Sequence, residues 1–271
     1  MSKVLHATLI GGHGFVGRHL DAHLRATGWL CDLIARNDKP ILDRHYGHVF
    51  YCAGLTADFR QRPFDTVEAH VSYLAHWLQA AKFDSLTYLS STRVYANASS
   101  TAETSTLLVN PELAGDLYNL SKLMGESLCL QSGRPVKIAR LSNVYGEQMP
   151  SQNFLSEILS AAARLKTVEF LTGPESEKDY ISVKDVALAL PRIALADESG
   201  IFNLASGKNI SNQMIADFLT KSGVICAFQP NAPAIIFPRI ETKKVESLFG
   251  MRTCDLVQDL PSLLQHYGEA L

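Results

Sequence analysis

Tyr118 and Lys122 are the residues whose types and spacing point most directly to chemistry. They are four positions apart on a predicted helix, so both side chains lie on one face of it. An ammonium near a phenol stabilises the phenolate and lowers the phenol pKa from about 10 toward neutrality. Ser91 ends a predicted strand upstream, and its hydroxyl could hold a substrate oxygen while the tyrosine transfers a proton. Alone, this spacing usually marks a solvated helix face, so the interpretation depends on a second motif.

That second motif is a glycine-rich turn near the N-terminus. Residues 7–20 are typical of a short apolar strand, a glycine turn and the start of a helix, and they contain Gly12-x-Gly14-x-x-Gly17. Such glycines let a dinucleotide pyrophosphate approach the backbone, and the following helix directs its free N–H groups at the phosphates. Glycines also mark ordinary turns, but the flanking strand and helix favour a cofactor site. The predicted cofactor-binding residues of this turn are Gly11, Gly14, Phe15, Val16 and Gly17.

The next strand, Trp29–Ala35, is followed by Arg36. At this position of a dinucleotide fold an arginine pairs with a 2′-phosphate, whereas a carboxylate binds a free 2′-hydroxyl. We therefore predict NADP(H) rather than NAD(H). The alternative is that Arg36 is a solvated surface residue and that Asp38 turns back to the ribose. Ala53 and Gly54 end the third strand and would let the cofactor lie close to the sheet, although a glycine can simply end a strand.

The elements that position these residues alternate between strand and helix. An amphipathic helix over Thr66–Lys82 precedes the strand Ser85–Ser91, and a helix containing Tyr118 precedes the strand Pro135–Leu141. This alternation predicts a parallel sheet with crossover helices. Too few residues separate the second and third strands for a full crossover, so the sheet is predicted to be trimmed there. The fold class is α/β, a Rossmann-type doubly wound parallel sheet.

Composition narrows the classes of partner. The chain has 271 residues and a formal net charge of −2, which gives no electrostatic footprint for nucleic acid or anionic membrane. No apolar run approaches a membrane span, and no signal peptide is evident. The five cysteines are scattered without C-x-x-C spacing, so we predict no metal site and no disulfide framework. A cytoplasmic location is expected.

Five motifs, in the same order and across most of the chain, resemble the extended short-chain dehydrogenase/reductase family in its nucleotide-sugar epimerase/dehydratase branch. They are Gly11-x-x-Gly14-x-x-Gly17, Ser90-Ser91-Thr92-Arg93-Val94-Tyr95, Tyr118-x-x-x-Lys122, residues 140–146 and residues 178–186. The resemblance implies a small C-terminal substrate-binding lobe. It assigns residues 1–147 with about 183–208 to the NADP(H)-binding domain, and residues 148–182 with 209–271 to the lobe.

The resemblance also implies residue roles. Ser91 would orient the substrate, Tyr118 would be the acid/base, and Lys122 would bind the nicotinamide ribose and tune the tyrosine. The predicted substrate-binding residues are Thr92, Asn143 and Arg239, although Arg239 fits a surface arginine equally well. Dehydratases of the family carry an Asp-Glu pair after the catalytic hydroxyl residue. Here Thr92 and Arg93 occupy those positions, which argues against dehydration.

We therefore expect an NADP(H)-dependent reductase or epimerase of a nucleotide-activated sugar, with 4-keto reduction favoured because a 2′-phosphate cofactor normally serves net reduction. Two alternatives stay open: a reductase of a non-sugar carbonyl, and a catalytically silent dinucleotide-binding regulator. In relatives the helices corresponding to Thr66–Lys82 and Tyr118–Gln131 often form a dimer interface. A homodimer is thus possible, with Tyr73, Trp77, Met124 and Leu128 on that face or, equally, covering the sheet.

Overall fold

The computed structural model describes residues 4–35, 37–56 and 58–269. Its strands are β1 His6–Ile10, β2 Leu30–Ile34, β3 His48–Tyr51, β4 Ser85–Ser91, β5 Val136–Leu141, β6 Asn143–Tyr145, β7 Thr167–Phe170, β8 Glu177–Ser182, β9 Gly200–Leu204, β10 Asn209–Ser211 and β11 Ile225–Phe228. Its helices are α1 Phe15–Ala26, α2 Pro63–Val67, α3 Tyr73–Ala80, α4 Asp116–Gln131, α5 Phe154–Leu165, α6 Val183–Leu195, α7 Asn212–Lys221, α8 Lys243–Phe249 and α9 Leu256–Glu269.

Six strands form the main sheet in the order β2-β1-β3-β4-β5-β9, and every neighbouring pair is parallel. Helices α1 and α6 pack on one face, where Leu20, Leu24 and Leu190 are buried. Helices α3 and α4 cover the other face with Leu74 and Cys129. Helices on both faces of a parallel sheet define a doubly wound fold, as predicted. The described residues between β2 and β3 form no helix, so the predicted trimming is confirmed.

A second group of elements adjoins the carboxyl ends of the main sheet. It contains the three-stranded sheet β10-β8-β6, the parallel pair β11-β7 and helices α5, α7 and α9. Its own apolar core includes Leu159, Phe170, Leu219 and Leu260. The boundaries of the substrate lobe stay a prediction.

The helix predicted over Thr66–Lys82 begins earlier, at Pro63, and contains a π-helical turn over Glu68–Ser72 between α2 and α3. The turn changes which residues face the sheet. Trp77 is fully buried and Tyr73 is 9% exposed, and both pack in the main core. These two side chains therefore cover the sheet and are not available to a partner, whereas Met124 is 57% exposed.

The described helices include none that is both long and apolar enough to cross a membrane. Within the same residues, no group of histidine, cysteine, aspartate and glutamate side chains is arranged to hold a metal ion. All five cysteines are free thiols.

Candidate active site

A cavity of about 740 Å³ lies between the carboxyl ends of the main sheet and the smaller group of elements. Open α/β sheets bind ligands at this edge, and the volume suits a cofactor together with a substrate. Strand β4 contributes Leu89 to Ser91, while Phe154, Lys178 and Asn212 line the opposite wall. The lining includes these residues selected from the sequence: Gly14, Phe15, Val16, Gly17, Ala53, Gly54, Ser91, Thr92, Tyr118, Lys122 and Asn143.

The glycine turn closes one end of the cavity. Gly11 has φ +82°, and its carbonyl oxygen accepts a hydrogen bond from the N–H of Gly14 at 3.0 Å. A Cβ on Gly17 would lie only 2.4 Å from that oxygen, so the turn requires glycine there. Helix α1 begins without a side-chain cap or an acidic residue in its first turn. Uncapped N–H groups facing a cavity suit an anionic pyrophosphate.

The residue on which the NADP(H) prediction depends, Arg36, lies outside the described residues. Of the nearby carboxylates, Asp32 pairs with Arg44 at 2.5 Å and with His6 at 3.0 Å. Asp32 is therefore committed to side chains at the edge of the sheet. Asp38 follows Asn37, which has φ +73°, and it is exposed. It is the carboxylate that the alternative interpretation requires.

Ser91, Tyr118 and Lys122 come together at the centre of the cavity. Tyr118 and Lys122 share a face of α4, and the Lys122 Nζ lies 5.9 Å from the Tyr118 ring centroid. The ammonium donates a hydrogen bond to the carbonyl oxygen of Leu89 at 2.9 Å. Lys122 is 4% exposed, and burial lowers its pKa to about 7 although the nearby Glu126 favours the charged form. This lysine is thus balanced between its charged and neutral states near neutral pH.

The pKa of Tyr118 differs from the prediction. Burial is the largest effect and raises the pKa above its usual value, while the Ser91 hydroxyl and the Arg93 guanidinium oppose the rise. The cation that favours the phenolate here is thus Arg93, not Lys122. The prediction considered the neighbouring ammonium but not the burial of the phenol in the fold. A raised pKa keeps Tyr118 protonated near neutral pH, as a proton donor requires.

His70 is a contact of the site that the sequence did not reveal. The structure buries it in the π-helical turn, with its ring centroid 5.4 Å from that of Tyr118. Its Nε2 accepts a hydrogen bond from the N–H of Leu55 at 3.2 Å. The proton must then be on Nδ1, which lies 2.8 Å from the Ser121 hydroxyl. Burial lowers the pKa of His70 to about 2, so a neutral imidazole packs against the ring of Tyr118.

The predicted substrate residues have different positions. Thr92 is buried in the cavity wall, and Asn143 lines the cavity while its amide nitrogen donates to the carbonyl oxygen of Asp179 at 2.7 Å. Arg239 is exposed and its Nε donates to the carbonyl oxygen of Gly207. Its neighbours Phe237, Pro238 and Ile240 line the cavity, but Arg239 does not. Arg239 thus lies outside the cavity lining, and its role in substrate binding stays a prediction.

The fold and the site together define an α/β dinucleotide-binding enzyme class. Residues 7–205 match the NAD dependent epimerase/dehydratase family, and the chain belongs to that family. Among curated proteins it is 29% identical to GDP-6-deoxy-D-mannose reductase of Pseudomonas aeruginosa over 73% of each chain. It is 23% identical to UDP-glucuronic acid decarboxylase 4 of Arabidopsis thaliana, over 98% of this chain and 69% of that one.

The fold is also found among solved structures. RMD from Pseudomonas aeruginosa, solved in complex with NADPH, is 22% identical, covers 98% of this chain and 99% of its own, and gives a TM-score of 0.78. The predicted family and fold class are confirmed by these comparisons.

Proposed function

We propose that the protein is an NADP(H)-dependent reductase that converts the 4-keto group of a nucleotide-activated sugar to an alcohol. The observation that carries the proposal is the convergence of Ser91, Tyr118 and Lys122 on one cavity that also contains the glycine turn. Proton transfer and cofactor binding are thereby combined at a single position, as a carbonyl reduction requires.

The side chains after Ser91 favour reduction over dehydration. Thr92 and Arg93 line the cavity where an acid and a base would be needed to remove water from the sugar. Neither side chain readily accepts a proton, so elimination lacks its base. The relative with 29% identity, named GDP-6-deoxy-D-mannose reductase, supports the same reaction class.

Binding of the cofactor uses groups already described. The uncapped start of α1 and the backbone of Gly14 to Gly17 would hold the pyrophosphate, and Ala53 and Gly54 leave room beside the sheet. When bound, NADPH supplies the hydride. The choice of NADPH over NADH rests on Arg36 in the sequence and is supported by the NADPH complex of the similar structure.

The protein's own residues would handle the proton. The Ser91 hydroxyl donates a hydrogen bond to the carbonyl oxygen and holds it beside the Tyr118 phenol. Because burial raises the pKa of Tyr118, the phenol retains its proton until the carbonyl oxygen gains negative charge. Tyr118 then donates that proton, and the product alcohol forms. The guanidinium of Arg93 stabilises the negative charge left on the phenolate.

The test is NADPH consumption with a panel of nucleotide-linked 4-keto sugars that carry a methyl, hydroxymethyl or carboxylate group on C5. We expect Tyr118→Phe to lose turnover by about 100-fold or more while keeping its affinity for NADPH. Tyr267→Phe is the matched control, because the Tyr267 hydroxyl contacts Ser156 away from this cavity. Unchanged turnover in Tyr118→Phe would show that the tyrosine is not the acid. Tighter binding of NADH than of NADPH would refute the cofactor assignment.

Two further features belong to the proposal. We propose a homodimer whose interface includes the exposed Met124 and the partly buried Leu128 of α4. Tyr73 and Trp77 do not belong to that interface, because they pack in the core. We also propose a cytoplasmic location, on the basis of the amino-acid composition. Sedimentation velocity at several protein concentrations tests the dimer, and a single monomeric species throughout would refute it.

A further inference from the structure

The side chain of Arg93 projects into the cavity wall beside Tyr118. Its Cζ lies 5.6 Å from the Tyr118 ring centroid and 5.1 Å from that of Phe59. Across the described ranges, no residue forms an ion pair or a side-chain hydrogen bond with the guanidinium. Burial lowers the pKa of Arg93, which means that the charge has lost part of its hydration. A partly desolvated guanidinium that contacts only aromatic rings lacks the anionic partner that would offset its lost hydration.

The neighbouring groups do not supply one. Asp116 contributes favourably at longer range, but its oxygens already accept hydrogen bonds from the N–H of Asn110 and the amide of Asn119. The larger charge effect on Arg93 comes from a like charge. Arg60 stacks on the Phe59 ring at 4.7 Å, and it also destabilises the charged form of Arg93.

A third cation contributes from the opposite wall of the cavity. The Lys178 Nζ lies 4.1 Å from the Phe154 ring centroid, and among the described residues it has no ion-pair or hydrogen-bond partner. Burial and the charge of Arg93 lower the pKa of Lys178 to about 8. Arg93 and Lys178 therefore repel each other across the space that a substrate would fill. A bound anion would reduce that repulsion and offset the hydration free energy that both groups lost on burial.

The location of Arg93 indicates which part of a substrate carries the charge. In a pyranose, C4 lies opposite C1, from which the nucleotide diphosphate extends. If Tyr118 serves the oxygen on C4, the diphosphate leads away from it and the exocyclic carbon on C5 lies beside it. C3 also adjoins C4 but carries a neutral hydroxyl, so the neighbouring substituent that can present an anion to the guanidinium is a carboxylate on C5. The planar guanidinium matches a carboxylate, which it can bind through two parallel hydrogen bonds.

We propose that Arg93 binds a carboxylate on C5 of the substrate sugar, so that the enzyme acts on nucleotide-linked hexuronic acids. This inference rests on the proposed function, because it takes the C4 oxygen as the partner of Tyr118. It predicts selectivity for a negatively charged sugar over its neutral counterpart with the same nucleotide. Stacking alone, with no role in recognition, would give Arg93 no such selectivity.

The experiment is calorimetric titration of the NADP⁺-loaded protein with two matched pairs of ligands. UDP-glucuronic acid is compared with UDP-glucose, and GDP-mannuronic acid with GDP-mannose, so each pair differs only by carboxylate against hydroxymethyl. The proteins are the parent, Arg93→Gln, Arg93→Lys and the control Arg192→Gln. Arg192 is exposed on α6 and contacts the carbonyl oxygen of Phe249. Melting temperatures establish that every variant is folded.

We expect the parent to bind the acid of at least one pair about tenfold to a hundredfold more tightly than its neutral partner, the range of a charge-assisted hydrogen bond. Arg93→Gln should bring that ratio close to one, Arg93→Lys should retain part of it, and Arg192→Gln should keep all of it. A parent that binds neutral and acidic sugars equally, or a ratio unchanged in Arg93→Gln, would overturn the carboxylate site and leave the reductase proposal intact. Absence of binding by all four nucleotide sugars would also overturn the carboxylate site, while NADPH consumption by the parent and Tyr118→Phe decides the reductase proposal separately.

Discussion

Replacing Lys122 by methionine should make the ligand-free protein more stable near neutral pH while abolishing its activity. The ammonium is 4% exposed, and its single acceptor among the described residues is the carbonyl oxygen of Leu89. Burial lowers its pKa from 10.5 to about 7. Because the folded protein binds this proton less tightly than the unfolded chain does, charged Lys122 lowers the free energy of unfolding. Methionine removes the charge and retains a flexible side chain of similar length.

The magnitude follows from the two pKa values. The penalty is about 5 kcal/mol at about pH 6 and falls to about 2 kcal/mol at about pH 9, because the folded lysine is then neutral and its proton costs less to remove as the pH approaches the pKa of the unfolded lysine. Losing the hydrogen bond to Leu89 costs about 1–3 kcal/mol at either pH. Lys122→Met should therefore be about 2–4 kcal/mol more stable than the parent at the lower pH. Its advantage should shrink by about 3 kcal/mol at the higher pH.

Urea denaturation of the two proteins at both pH values measures this difference, and comparing them cancels the titration of groups that they share. Lys221→Met is the control, since Lys221 is exposed at the end of α7 and its replacement should leave the difference from the parent independent of pH. If Lys122→Met and the parent differ by the same amount at both pH values, Lys122 is not a desolvated cation and the reasoning is wrong.

Two further predictions concern the supports of the site. Gly17→Ala places a Cβ 2.4 Å from the Gly11 carbonyl oxygen, and should weaken NADPH binding and destabilise the fold by about 1–3 kcal/mol. The control Gly268→Ala, in open space on α9, should be neutral or slightly stabilising. Fluorescence titration measures NADPH binding, and urea midpoints measure stability. Glu126→Gln breaks the buried ion pair with Arg140, whose Nη2 lies 2.6 Å from Oε2, and should cost about 3–5 kcal/mol; a midpoint within error of the parent would contradict this.

Local sequence patterns were sufficient to predict much of the main sheet. The short segment before His48 excluded a crossover helix, and the four-residue spacing of Tyr118 and Lys122 defined a helix face that the fold retains. Such features depend on hydrogen bonding and periodicity within a few residues, so the sequence carries them directly. Strands such as Asn143–Tyr145 and Asn209–Ser211 have three residues each, too few for an alternating pattern to appear.

Other properties of the site depend on tertiary contacts that spacing does not encode. The π-helical turn moves His70 behind Tyr118, which a regular 3.6-residue period does not predict. The pKa of Tyr118 is governed by burial rather than by the lysine four residues on. Arg239 follows two residues next to the cavity lining, yet its side chain turns to Gly207. Each outcome is decided by packing between elements distant in the chain.

The cavity contains three desolvated cations. Burial lowers the pKa of Arg93, Lys122 and Lys178, and all three line the same cavity. In contrast, the buried Arg140 has a carboxylate partner, and its pKa is raised. A guanidinium with a structural role is thus neutralised within the fold, whereas the cations of the cavity are left to be neutralised by a ligand. Such a site lowers the stability of the free protein and regains free energy when anions bind, which is the physical basis of the proposed carboxylate site.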